Sequence, residues 1–171
     1  MSVGMGDLGV GAAGQNIADF TQIVNAPILM TYMGKFTRPV IFIGLILAVH
    51  GWAILSGWYE FHKWFDVPMH FLGGVAIGLL ALAIWDTCID HIVFNKQVKP
   101  FWQALVYLVG IVGVVAIVGV LWEVYEFIFD TWASAASLDF RPAQMGLGDT
   151  MADLCLDMLG GILAFVIGRK R

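Results

Sequence analysis

Seven side chains stand at spacings that could bring acids and an imidazole onto common helix faces. Asp66 and His70 are four residues apart, Glu123 and Glu126 three apart, and Asp149, Asp153 and Asp157 follow at steps of four. Residues three or four apart share one face of a helix. Carboxylates with one imidazole make a hard, oxygen-rich ligand set. It suits a divalent metal ion (Mg, Mn, Ca or Fe, with Zn also admitted). Such an ion would polarise a phosphoryl or carbonyl group and activate water. The same acids, if some stay protonated, could instead relay protons.

Each residue also has a structural reading. Asp66 precedes Val67-Pro68 and could cap a helix. Asp149 could do the same, or serve the helix dipole. Glu126 could face water, and His70 could be a structural hydrogen-bonding group. Asp157 is harder to assign this way, because it lies about 12 Å further along the helix than Asp149. A carboxylate at that depth in a membrane faces the bundle interior or water. Asp86, Asp90 and His91 read as a solvated helix end. His50, beside Trp52, reads as a structural hydrogen-bonding residue. Glu60 and His62 fall in a loop that could join the acidic group. Cys88 and Cys155 are expected at opposite membrane faces, unpaired, and Ser134 and Ser137 show no His partner.

The elements that must position these residues are membrane helices. The chain has 171 residues, 60% of them hydrophobic and 13% charged, and a mean hydropathy of +0.83. Soluble domains are about 45–50% apolar and about 25% charged. A crossing needs about 20 predominantly apolar residues. Four stretches meet that length: Pro39 to Trp58, Val67 to Ile89, Phe101 to Phe129 and Asp149 to Gly168. The third exceeds one crossing and predicts tilt or emergence into the headgroups. Gly74-xxx-Gly78 predicts a close helix approach. Asn16 to Tyr32 mixes Asp19, Gln22 and Asn25 with apolar residues and contains Pro27, which predicts an interfacial or re-entrant helix. The expected fold is all-α, an integral membrane four-helix bundle with that amino-terminal helix. Residues 1–38 form a flexible and interfacial segment, and 39–171 the four-helix domain. No secretory signal is read at the amino terminus.

Basic residues set the orientation. Lys35, Arg38, Lys96, Lys99, Arg169, Lys170 and Arg171 share one side of a four-span topology, and Lys63 and Arg141 take the other. This predicts a multi-pass inner-membrane protein with both termini cytoplasmic. Trp58, Tyr59, Trp64, Trp122, Tyr125 and Trp132 would then form an outer aromatic belt. All three acidic motifs fall at that outer end, although none was used to set the orientation. Six carboxylates in a partly desolvated vestibule cannot all ionise without compensation. The net charge of −4 and the lack of a basic stripe exclude a nucleic-acid partner.

Three motifs together resemble a known group. They are Phe65-Asp66-Val67-Pro68-Met69-His70-Phe71-Leu72-Gly73, Trp122-Glu123-Val124-Tyr125-Glu126, and the run from Asp149 to Gly161. They resemble YjdF-type inner-membrane proteins and, more distantly, VanZ-like proteins. The resemblance covers roughly residues 40–168. It implies an Asp–His pair opening one helix, an acidic pair closing the next and a late acidic helix ending in Gly. VanZ-like proteins commonly carry Gln where this chain has Glu126. The resemblance implies no agreed activity.

Three functions stay open from the residues. One is a metal-dependent hydrolase or transferase acting on a lipid-linked substrate. The second is a non-enzymatic small subunit or assembly factor of a larger complex, with a structural polar or metal cluster. The third is a proton or cation carrier, which would need a homo-oligomer to enclose a path. The lipid bilayer is the surrounding partner in all three.

Overall fold

The computed structural model describes residues 26–89, 99–136 and 142–169. Expectations resting on residues 1–25, Asp90, His91, Lys96, Ser137, Arg141, Lys170 and Arg171, and on the Cys88 side chain, lie outside the described residues. Backbone packing divides the chain into Met1–Lys35 and Phe36–Arg171. Of the first unit, residues 26–35 are described, as helix.

Every regular element among the described residues is helical. Helix α1 is Ala26–Leu55, and a short α2, Trp58–Phe61, leads through a 3-10 turn, Lys63–Phe65, into α3, Asp66–Ile84. A π turn, Trp85–Ile89, ends α3. Helix α4 is Pro100–Ala135 and α5 is Leu147–Gly168. Four of these segments are long and apolar enough to cross a membrane: Gly34–Leu55, Lys63–Thr87, Pro100–Ala135 and Leu147–Gly168.

Two boundaries differ from the expected ones. Helix α1 starts at Ala26, ahead of the expected span start at Pro39. Pro27 falls in its first turn, where its missing N–H has no intrahelical acceptor to lose. Pro39 lies inside α1, which membrane helices tolerate better than soluble ones. Helix α4 runs past Phe129 to Ala135, because no Gly or Pro follows Val120 before Pro142. Its 36 residues span about 54 Å against a hydrocarbon core of about 30 Å.

Helices α3, α4 and α5 pack closely, and α3 against α5 most closely; α1 associates more loosely. Ile111 and Val115 of α4 are fully buried, while Leu45, Leu55 and Ile117 point away from the bundle. Apolar groups facing outward are what lipid requires.

The α3–α5 crossing is made by glycines. A Cβ at Gly74 would collide with the Asp157 backbone carbonyl, and one at Gly160 with the Phe71 carbonyl oxygen and the Val75 nitrogen. A Cβ at Gly78 would meet Ala164 Cβ at 2.7 Å and Gly161 Cα at 3.1 Å. Gly74-xxx-Gly78 thus meets Gly160-Gly161 and Ala164, and the two backbones touch directly. Dispersion contacts of this kind drive helix association where lipid removes the hydrophobic incentive. Gly160→Ala should therefore cost about 1–3 kcal/mol by overpacking. Gly44→Ala, where a Cβ meets nothing within 4 Å, should cost nothing. Thermal unfolding of both variants in detergent checks the contrast.

Candidate functional site

The crossing brings the first turns of α3 and α5 side by side. Asp66 is the first residue of α3. An acid in the first turn favours the helix dipole. One turn on, His70 is 6% exposed. Its Nδ1 lies 3.4 Å from Asp157 Oδ1. Its Nε2 lies 3.7 Å from Asp66 Oδ1 and 4.0 Å from Asp153 Oδ2. Both ring nitrogens therefore face carboxylates. Asp153 and Asp157 are buried, as are Glu123 and Glu126 from α4.

Two overlapping groups could hold an ion. Asp66, His70 and Asp153 offer ligand atoms within 4.8 Å of one another, and so do His70, Glu123 and Glu126. His70 belongs to both. The structure brings these five residues together. Asp157 also contacts His70 but belongs to neither trio.

Asp149 lies outside both groups. Its carboxylate accepts the Met145 backbone N–H at 3.0 Å, closing the turn that starts α5. Glu126 departs from the expectation of a solvated residue. It shares the inward face with Glu123 and accepts a hydrogen bond from Trp122 Nε1 at 2.8 Å. Trp122 thus turns toward the acids.

Several supporting residues were missing from the sequence reading. Gln144 Nε2 donates to Glu123 Oε2 at 3.2 Å and to Thr150 Oγ1 at 3.2 Å. The Asp130 carboxylate accepts the Ala143 N–H at 3.0 Å and the Gln144 N–H at 2.9 Å. The segment before α5 is thereby tied back to α4. Gly119 leaves room for an acid: a Cβ there would stand 2.5 Å from Asp157 Oδ2. Trp122 could have been found from its four-residue spacing to Glu126. Nothing in the sequence marks Gln144, whose role depends on a loop returning to α4. The remaining oxygen, Glu123 Oε1, is buried without a hydrogen-bond partner.

His50 hydrogen-bonds, as expected, but with Tyr59. His50 Nδ1 and the Tyr59 hydroxyl are 2.8 Å apart. Its ring meets Trp122 edge-on at 5.1 Å, placing it beside the acidic group. Burial first, then the Asp66 and Glu126 charges, push the Tyr59 phenol well above its ordinary range. Tyr59 therefore stays protonated, and the His50 tautomer sets which of the two donates. His62 instead stacks on Trp58 at 3.8 Å. Cys155 is a free, exposed thiol, and Asp86 lies on the π turn at the other end of α3.

Two cavities adjoin the acids. One, of about 130 Å³, lies between α1 and the α3–α4 pair and reaches Asp66, His70 and Asp157. The other, of about 100 Å³, is lined by residues including Tyr59, Lys63 and Glu126. His50 and Asp66 border both.

The family described as "Predicted membrane protein (DUF2238)" matches residues 19–171. No curated protein and no solved structure matches the chain.

Trp122→Phe removes the donor to a carboxylate that is 5% exposed. An unsatisfied buried acceptor costs about 1–3 kcal/mol. Trp132→Phe, at a site 59% exposed, should be close to neutral. Paired denaturation curves measure the difference.

Proposed function

The chain belongs to the DUF2238 family of membrane proteins, and we propose that it holds a divalent metal ion among Asp66, His70, Asp153, Glu123 and Glu126. The proposed use is metal-assisted hydrolysis or transfer on a lipid-linked substrate. The observation that carries this reading is the buried imidazole shared by two carboxylate groups, one of which includes the unpartnered Glu123 Oε1. Ionised carboxylates only accept hydrogen bonds. Packed together away from water, they need donors or a cation. Trp122 and Gln144 serve one oxygen of each glutamate, and a cation would serve the others.

In this reading the roles divide. Asp157 accepts the Nδ1 proton of His70, which leaves Nε2 with a lone pair toward Asp66 and Asp153. Carboxylate–imidazole–metal chains of this type fix the tautomer and the ring orientation. The oxygen-rich set favours Mg, Mn, Ca or Fe, and the imidazole admits Zn. A bound ion would supply Lewis acidity and an activated water. The positive-inside bias supports cytoplasmic termini in the inner membrane, with this end of the bundle outside. The likeness of the three motifs to YjdF-type and VanZ-like proteins accords with a membrane location and adds no activity.

A structural role is the second reading, as a subunit or assembly factor. It is favoured by the position of His70 and Asp157 beside the Gly74–Gly160 crossing, where an ion would tie α3 to α5.

Purified protein equilibrated with each metal should retain about one ion per chain, read by elemental analysis. Asp157→Asn should weaken binding about 10–100-fold, the range for residues that orient a ligand. Asp153→Asn, which removes a ligand, should weaken it further. Without metal, Asp153→Asn should be as stable as the wild type or more so, because one repelling charge is gone. Wild-type protein that binds none of these ions would end the metal reading. Metal binding with no turnover of any lipid-linked ester would favour the structural one.

A further inference from the structure

We infer that the slot between α1 and the α3–α4 pair seats the hydrocarbon chain of a single-chain lipid phosphate, with its head at the acidic–imidazole cluster. The inference rests on the metal reading above, since a phosphate among carboxylates needs a cation between them.

The slot is apolar along its length and polar at one end. Ile43, Ile46 and Leu47 of α1 face Gly73, Ile77 and Val118 across it, and Asp66, His70 and Asp157 line the same space. Chain and chemistry therefore share one cavity. Ile43 to His50 covers about 10 Å of helix rise.

Size selects the occupant. A cavity of about 150 Å³ holds one benzene. A slot of about 130 Å³ therefore takes a short stretch of one chain and excludes a second chain. That volume is far too small for a helix, whose diameter with side chains is about 10–12 Å. Gly73 keeps the slot open, because a Cβ there would meet nothing within 4 Å. A larger side chain would grow into the space the lipid chain takes.

Charge selects the head. The adjoining cavity meets the slot at His50 and Asp66 and carries the Lys63 ammonium and the Tyr59 hydroxyl. Lys63 donates hydrogen bonds and brings positive charge, and Tyr59 donates where the His50 tautomer has Nδ1–H as the donor between them. A dication in the cluster and Lys63 on the other side would complement a phosphate.

The test uses a lysophosphatidate with a photoreactive diazirine in its chain, added to the full-length protein in nanodiscs with saturating Mn²⁺. Labelled peptides should contain Ile46 or Ile77, and labelling should saturate. Unlabelled lysophosphatidate should compete, whereas diacyl phosphatidate and inorganic phosphate should not. Gly73→Leu should cut slot labelling about tenfold or more, a loss of about 1.4 kcal/mol of binding. Gly113→Leu, also at a position with nothing within 4 Å but outside the slot lining, should leave it unchanged. Ile46→Phe blocks the slot from the opposite wall and should act like Gly73→Leu. Unchanged labelling in both blocking variants overturns the inference, as does equal competition by the diacyl lipid. Bound metal is counted in the same samples. Metal without slot labelling overturns the slot alone. Labelling without metal removes the metal reading and, with it, the placement of the phosphate head at the cluster.

Discussion

The direct backbone contact between Gly74 of α3 and Gly160 of α5 sets the geometry of everything around it. His70 stands one turn before Gly74, and Asp157 stands three residues before Gly160. With no side chain between the two backbones, the imidazole reaches Asp157 at 3.4 Å and Asp153 at 4.0 Å. One added methyl group at either glycine would collide with main-chain atoms. Main chain cannot rotate aside as a side chain can, so the helices would have to separate. In lipid, small residues permit this approach and dispersion contacts maintain it.

Bringing the helices together also creates an electrostatic load. Asp153, Asp157, Glu123 and Glu126 are buried around His70, and Asp66 is close by. The protein offsets part of that load with placed donors. Trp122 serves Glu126 from one turn away on the same helix. Gln144 serves Glu123 from a loop held by Asp130. Gly119 clears space beside the Asp157 carboxylate. Supporting residues of this kind hold the carboxylate side chains in place. The unpartnered oxygen of Glu123 is the place where the donors run out.

Helix α1 has a different character. It packs less closely than the other three and leaves a slot that ends at the acids. Its own polar residue, His50, reaches back to Tyr59 and touches Trp122, which in turn holds Glu126. The tightly packed α3–α4–α5 unit thus holds the polar groups, and α1 forms one wall of the space that leads to them.

Hydropathy and helix periodicity were enough to identify four spans and the faces carrying the acids. A crossing must be long and apolar, and residues three or four apart must share a face. Those are local constraints, written into consecutive residues. For the same reason the buried glutamate Glu126 and the turn-closing Asp149 could not be told apart by type. Each is an acid near a helix end, and only the surrounding helices decide which is desolvated. The joining of α1 through Pro39, the glycine crossing, the reach of Gln144 and the slot beside His70 likewise came from the tertiary structure. Each depends on how segments far apart in the chain approach one another. Sequence spacing measures position along one helix, while a pocket is set by the distance between several.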